Sequence, residues 1–193
     1  MGRVRRVKVA DLAWPRQAGP LSLRPPTPDD IAQALTWRNS PEVTRWLLLT
    51  AVDPQTYTRS WLEDDPDSLG VAAHVDGQLV GTGSLSIGDA MGQVHAGQDI
   101  WSRAQGSLGY TIDPAHAGRG HGTHLARGLL SIAFDDLGLH RVTAGCFADN
   151  TPSWRVMERI GMRREQHGVK DSWHAELRWV DGYTYGILRE EWT

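Results

Sequence analysis

Apolar and polar positions along this chain recur in two periods, and the switches between them mark its elements. Residues 21–24 read as a short strand stopped by Pro25 and Pro26. Thr27 or Pro28 then opens a helix with Asp29 and Asp30 in its first turn, where negative charge suits the helix dipole. Ile31, Leu35 and Trp37 carry that helix toward Asn39. Helical pieces are predicted over 41–48 and 54–64, followed by antiparallel strands over 69–75 and 79–87. Asp76-Gly77 turns those strands and is the strongest short hairpin signal in the chain. Residues 88–105 are polar and glycine-rich with no period, and read as a long loop; loops of that length in compact domains are more often functional than idle.

The second half repeats the alternation. A short apolar strand over 108–112 meets a stop at Pro114, and the glycine-dense turn Gly118-Arg119-Gly120-His121-Gly122 follows. Thr123 is expected to open a helix whose apolar stripe is Ala126, Leu129, Leu130, Ala133 and Leu137, ended by Gly138. Residues 140–147 form a strand with Val142, Ala144 and Cys146 on one face. Thr151 is expected to cap a helix whose first position is Pro152, with Gly161 just past its end. Terminal strands follow over 162–169 and 179–188. Strand-helix-strand-helix flanked by antiparallel strands predicts an α/β fold built on a mixed sheet.

Composition narrows the classes. A chain of 193 residues is most economically one domain, read as an N-terminal arm over 1–19 and a folded domain over 20–193. The net charge of −3 argues against nucleic-acid binding, which needs a basic footprint. No apolar run approaches the ~18 residues of a membrane span. The single cysteine, Cys146, excludes an internal disulfide and fits a reducing, cytoplasmic setting. Arg3, Arg5, Arg6 and Lys8 precede no apolar run, so they make no signal peptide and are expected in a disordered or edge-pairing tail. The nine tryptophans are scattered and expected at core or interface positions.

The glycine turn lies between a strand and a helix start, where backbone N–H groups can cradle an anion. A dinucleotide fingerprint counted from Gly118 would put its third glycine at Thr123, and a Walker loop would need a lysine after Gly122; both patterns fail. What remains is a cradle suited to holding a pyrophosphate rather than breaking one, with Arg119 adding charge. The competing reading is a glycine-rich turn required only for a sharp strand-to-helix connection.

These segments together resemble the GNAT superfamily of acetyl-CoA-dependent N-acetyltransferases, nearest to its RimJ/RimL-like branch. The resemblance rests on Gly109-Tyr110-Thr111-Ile112-Asp113-Pro114, Gly118-Arg119-Gly120-His121-Gly122-Thr123, Leu137-Gly138-Leu139-His140-Arg141-Val142, Asp149-Asn150-Thr151-Pro152-Ser153 and Arg159-Ile160-Gly161-Met162. It continues into Leu188-Arg189-Glu190-Glu191-Trp192, with weaker matches at Leu23-Arg24-Pro25 and Asn39-Ser40-Pro41-Glu42-Val43. It implies a mostly antiparallel central sheet with a splayed parallel strand pair and flanking helices. It further implies that the pantetheine arm of acetyl-CoA pairs with main-chain groups of Tyr110 and Ile112. The pyrophosphate would lie on Ala117, Gly118, Arg119, Gly120, His121, Gly122 and Thr123, with Asn150 and Ser153 near the thioester. Ala117 stands where the family pattern has glutamine or arginine, and Ser107 where relatives often carry a glutamate.

The implied reaction is acetyl transfer to a primary amine by direct attack in a ternary complex, with acetyl-CoA as co-substrate and no metal. An ammonium of pKa ~10 has no lone pair, so a base or a water chain must remove a proton. Ser153 is the expected proton donor to the departing thiolate, its competing role being to satisfy the start of its helix. Asp99, His95, Glu165 and Glu176 are unranked base candidates. Cys146, without an adjacent His or Asp motif, reads as a core cysteine rather than a nucleophile. His116, His121 and His124 lack zincin spacing and are expected to face solvent around the loop. The alternative is a noncatalytic acyl-CoA-sensing domain. The acceptor, a protein N-terminus or a small-molecule amine, is expected against residues 37–48 and 88–105, with Trp46 and Trp101 as a wall or as packing. A homodimer is the expectation from family habit.

Overall fold

The computed structural model describes residues 9–94, 97 and 99–193; His95 and the basic positions Arg3, Arg5, Arg6 and Lys8 lie outside them. Eight strands form one sheet in the order β1-β2-β3-β4-β5-β6-β8-β7. They are β1 (Arg16–Ala18), β2 (Leu21–Arg24), β3 (Ser68–Val75), β4 (Gln78–Gly88), β5 (Gln105–Ile112), β6 (Arg141–Phe147), β7 (Arg163–His174) and β8 (Arg178–Leu188). Every neighbouring pair is antiparallel except β5 with β6. The strand and helix pattern predicts a mixed sheet, and the family resemblance implies this mostly antiparallel one with a single parallel pair. The helices are α1 (Pro28–Arg38), α2 (Pro41–Thr44), α3 (Pro54–Leu62), α4 (His121–Ser131) and α5 (Thr151–Arg159).

Two cores separate the faces of the sheet. On one, Leu125, Ala126, Leu129 and Leu130 of α4 and Met157 of α5 pack against Leu23, Val71, Leu85 and Leu108. On the other, Ala34 and Trp37 of α1 and Val43 of α2 meet Ala72 and Leu79. The main core is close-packed at the α4 crossing: a Cβ at Gly128 would fall 2.4 Å from a Leu23 methyl, so only glycine lets the helix approach β2. Helix α4 runs on into a single π turn, Ile132–Asp136, where Leu137 N–H reaches back to Ile132 O at 3.0 Å. The start of α1 is locked by a capping box in which Thr27 and Asp30 bond reciprocally.

Several boundaries differ from the sequence reading. Helix α4 begins at His121 rather than Thr123, because Gly120 takes the left-handed N-cap position at φ 81°. Asn150, not Thr151, caps α5, and Thr151 becomes its first helical residue. Helix α2 stops at Thr44 instead of Leu48, as the Trp46 ring turns away to meet Phe147 and His174. Strand β7 extends to His174 through an irregularity between Gly168 and Ser172. Residues 16–18, within the segment read as an arm, pair with β2 at the sheet edge. Of the tryptophans only Trp37 is buried; Trp173 and Trp179 are exposed and the other six half-buried.

Candidate active site

Strands β5 and β6 pair only over residues 105–107 against 141–143, although β5 continues to Ile112 along β4 and β6 to Phe147 along β8. Past Ser107 the two part, and a cleft of about 1390 Å³ opens at the split. The direction of the β5 main chain follows from alternation. Asp113 N–H donates to Val80 O at 3.0 Å, so Thr111 and Gly109 also address β4, while Tyr110 and Ile112 turn their N–H and C=O groups to the gap. An extended ligand bearing amides can add there as a strand.

The glycine turn closes one end of this gap. Asp113 accepts from Ala115 N–H at 2.9 Å and starts a tight turn, Pro114–His116. Gly118 and Gly120 then adopt left-handed φ of 74° and 81°. Thr123 and His124 N–H bond to Gly120 O, whereas His121 and Gly122 lie in the first turn, whose amides have no intrahelical acceptor. Gly120 has no side chain to satisfy them, so they remain available to an anion. A Cβ at Gly118 or Gly120 would meet no atom within 4 Å, so the space above the turn is open. Ala117, Gly118, Gly120, His121, Gly122 and Thr123 border the cleft. The Arg119 side chain does not border it and reaches toward Ala115 O at 3.4 Å.

Of the three histidines expected to face solvent, one does not. His121 is buried, and its pKa is lowered by burial and then by the charges of His116, Arg119 and His124. His116 and His124 are half-buried, His124 against Gly19. Among the described residues no group of three His, Cys, Asp or Glu side chains is placed to hold a metal ion.

The middle of the cleft brings Tyr110, Cys146, Asn150 and Ser153 together. Asn150 Oδ1 accepts from Ser153 N–H at 3.4 Å, which fixes the first turn of α5. The Tyr110 hydroxyl donates to Ser153 O at 3.0 Å and lies 3.5 Å from Ser153 Oγ. Burial pushes the Tyr110 phenol up to about 12, against the opposing Ser153 hydrogen bond. Burial likewise raises the Cys146 thiol to about 11. Both stay protonated at neutral pH, so Cys146 is a poor nucleophile. The sequence reading used only the Tyr110 main chain; its hydroxyl is an additional member of the cluster.

The opposite face of the sheet supplies the other wall. Trp46 meets His174 edge-on at 5.3 Å, and His174 meets Phe147 at 5.1 Å, tying α2 to the ends of β6 and β7. His174 Nε2 donates to Arg45 O at 2.7 Å, and its Nδ1 accepts from the N–H groups of Glu176 and Leu177. Replacing this buried ring with alanine orphans those groups and is expected to lower stability by about 2–4 kcal/mol. That corresponds to a fall of about 5–12 °C in calorimetric Tm; an unchanged Tm would show that the clasp carries no load.

Arg38, Tyr57, Thr82 and Trp61 line the same wall. The carboxylates that border the cleft among the described residues are Glu42 and Asp171, neither of them expected from the sequence. Glu165 is instead engaged by Arg141 and Arg163, and neither Asp99 nor Glu176 borders the cleft. Trp101 does not border it either, and packs on Gly92.

Residues 21–163 match the family described as the acetyltransferase (GNAT) domain. The chain belongs to the GNAT acetyltransferase family. The uncharacterized N-acetyltransferase YnaD of Bacillus subtilis is 39% identical over 85 residues, which are 44% of this chain and 49% of that protein. The chain thus spans about half the length of this curated relative. A GNAT-family acetyltransferase structure from Bacillus anthracis superposes with TM-score 0.72 at 26% identity, covering 91% of this chain and 98% of that one. Mycobacterium smegmatis RimJ, solved in complex with CoA-disulfide, has the same fold at TM-score 0.69 and 22% identity, covering 89% of this chain and 83% of its own. In this GNAT chain no helix among the described residues is long and apolar enough to cross a membrane.

Proposed function

We propose that this protein transfers an acetyl group from acetyl-CoA to a primary amine, by direct attack with both substrates bound. The observation that carries the reading is the split between β5 and β6 leading straight into the glycine turn at the start of α4. The gap suits the amide-bearing pantetheine arm, through Tyr110 and Ile112, and the turn suits the pyrophosphate, through the amides of residues 118–122. The co-substrate supplies the activated acetyl thioester. The CoA-bound RimJ structure of the same fold supports the ligand choice.

The acceptor approaches from the α1–α3 face, where Glu42 and Trp46 border the cleft. Its neutral nitrogen forms a bond to the carbonyl carbon, and the carbon–sulfur bond breaks. Ser153 Oγ donates a proton to the leaving thiolate and regains one, relayed through solvent, from the nitrogen as it becomes an amide; the protonated Tyr110 beside it holds the α5 turn in place through Ser153 O. The high pKa of Cys146 argues against an acyl-enzyme on that residue. The reading is of a cytoplasmic enzyme.

Ser153→Ala is expected to lower kcat by about 100-fold, the scale of a lost general acid, with CoA affinity held within about threefold. Loss of thioester from acetyl-CoA, followed with peptides, polyamines, aminoglycosides and amino acids as acceptors, tests the whole reading. CoA binding without turnover on every amine would replace the enzyme with a sensor.

A further inference from the structure

Arg38 is a permanent cation only 7% exposed, and among the described residues no carboxylate lies within ion-pair distance of it. Its Nη2 donates to Leu49 O at 3.0 Å, its guanidinium lies 5.8 Å over the Tyr57 ring, and its Nη1 is buried with no hydrogen-bond partner. Buried guanidinium groups are normally paired with an anion or fully hydrogen-bonded. This one borders the cleft, on the face opposite the glycine turn. Buried Tyr57 and Thr82 border the cleft with it, and the Arg38 charge opposes the upward shift that burial gives the Tyr57 phenol.

We infer that Arg38, with Tyr57 and Thr82, binds a carboxylate of the acceptor, so that the acceptor carries an amine and a carboxylate on one small molecule. This rests on the acetyltransferase reading and names its substrate class. A carboxylate matches the planar guanidinium fork, and the two hydroxyls add donors to it. One buried arginine balances one negative charge and leaves a phosphate dianion undercompensated. Trp61, Val43 and Leu47 border the same end and favour an apolar body on the acceptor. A polypeptide N-terminus brings no obligatory carboxylate to this position.

The test compares L-phenylalanine with L-phenylalaninamide as acceptors, in the wild type and in Arg38→Gln and Arg38→Lys. Comparing the acid-to-amide ratio of kcat/KM between proteins cancels the different basicities of the two amines. The wild type is expected to prefer the acid at least about tenfold; Arg38→Gln loses about 100-fold in the ratio and Arg38→Lys a smaller part. CoA affinity and Tm report whether each variant is folded. A wild type indifferent to the carboxylate, or folded variants that slow acid and amide alike, would overturn the inference.

Failure of the acetyltransferase reading looks different, as no amine is then acetylated. The inference is in that case decided by binding. N-acetyl-L-phenylalanine and N-acetyl-L-phenylalaninamide are titrated against the tryptophan fluorescence of the CoA-mixed protein. Tighter binding of the acid by about tenfold supports it, and equal binding overturns it.

Discussion

Replacing Gly120 with valine is expected to weaken CoA binding by at least about 100-fold in a calorimetric titration, while the chain stays folded. The residue sits at φ 81°, a left-handed conformation that costs an L-residue roughly 1–2 kcal/mol, and a β-branched one more. Relief of that strain rotates the peptide units on either side, and with them the N–H groups of His121 and Gly122. The valine side chain also enters the open space above the turn, where an anion must lie to touch those amides. Packing is not lost, because nothing lies within 4 Å of the new Cβ. A fall in Tm of only about 2–6 °C therefore accompanies the loss of binding. CoA affinity within threefold of the wild type would remove the glycine turn from the coenzyme site.

The second large effect is on stability. The Asp30 carboxylate is buried and accepts from Arg24 at 2.6 and 3.0 Å, from Thr27 N–H and hydroxyl at 2.7 Å each, and from His74 at 2.7 Å. Burial pushes its pKa up, but the Arg24, Thr27 and His74 hydrogen bonds outweigh that and hold it far below the usual carboxylate range. A carboxyl depressed in the folded state adds stability that is complete above its unfolded pKa of about 4 and is lost as pH falls through the folded value.

Asp30→Ala is thus expected to cost about 3–5 kcal/mol at pH 7, because it strands His74 and the start of α1 together. The corresponding fall in Tm is about 6–15 °C. Below about pH 4 the difference between the two proteins begins to narrow, so the gap in Tm should be smaller at pH 3 than at pH 7, closing fully only below the folded-state value. Parallel pH profiles would mean that the carboxylate is not a stabilising anion.

What the chain discloses without its structure follows from the range of the forces involved. The Asp76-Gly77 hairpin is local: both residues take positive φ, 48° and 78°, as a two-residue turn of this kind demands. The N-terminal acids of α1 and the glycine after α5 are local in the same sense. Adjacent competitors blur such signals. Asn150 and Thr151 can both cap, and only Asn150 has its oxygen on Ser153 N–H.

Tertiary pull does more. Trp46 leaves helical geometry for a stack on residues more than a hundred positions away. The glycine-turn end of the cleft was legible because one contiguous run, 109–123, lines most of it. The opposite wall was not, since Arg38, Tyr57, Thr82 and Asp171 come from four separate elements and share no spacing. Residues 88–105 drew attention by their length, yet the described part of that loop holds itself together. Asp89 accepts Arg103 N–H, and Arg103 pairs with Asp67.

The parted strands have a kinetic signature that needs no ligand. Along β5 every second peptide group is latched to β4, and its neighbours beyond Ser107 look into the gap. Amide deuteration of the unliganded protein should therefore run fast at Tyr110 and Ile112 and slow at Gly109 and Thr111, a two-beat pattern within one continuous strand. The middle of this sheet behaves like a zipper left half undone, with solvent reaching teeth that the residues on either side keep covered.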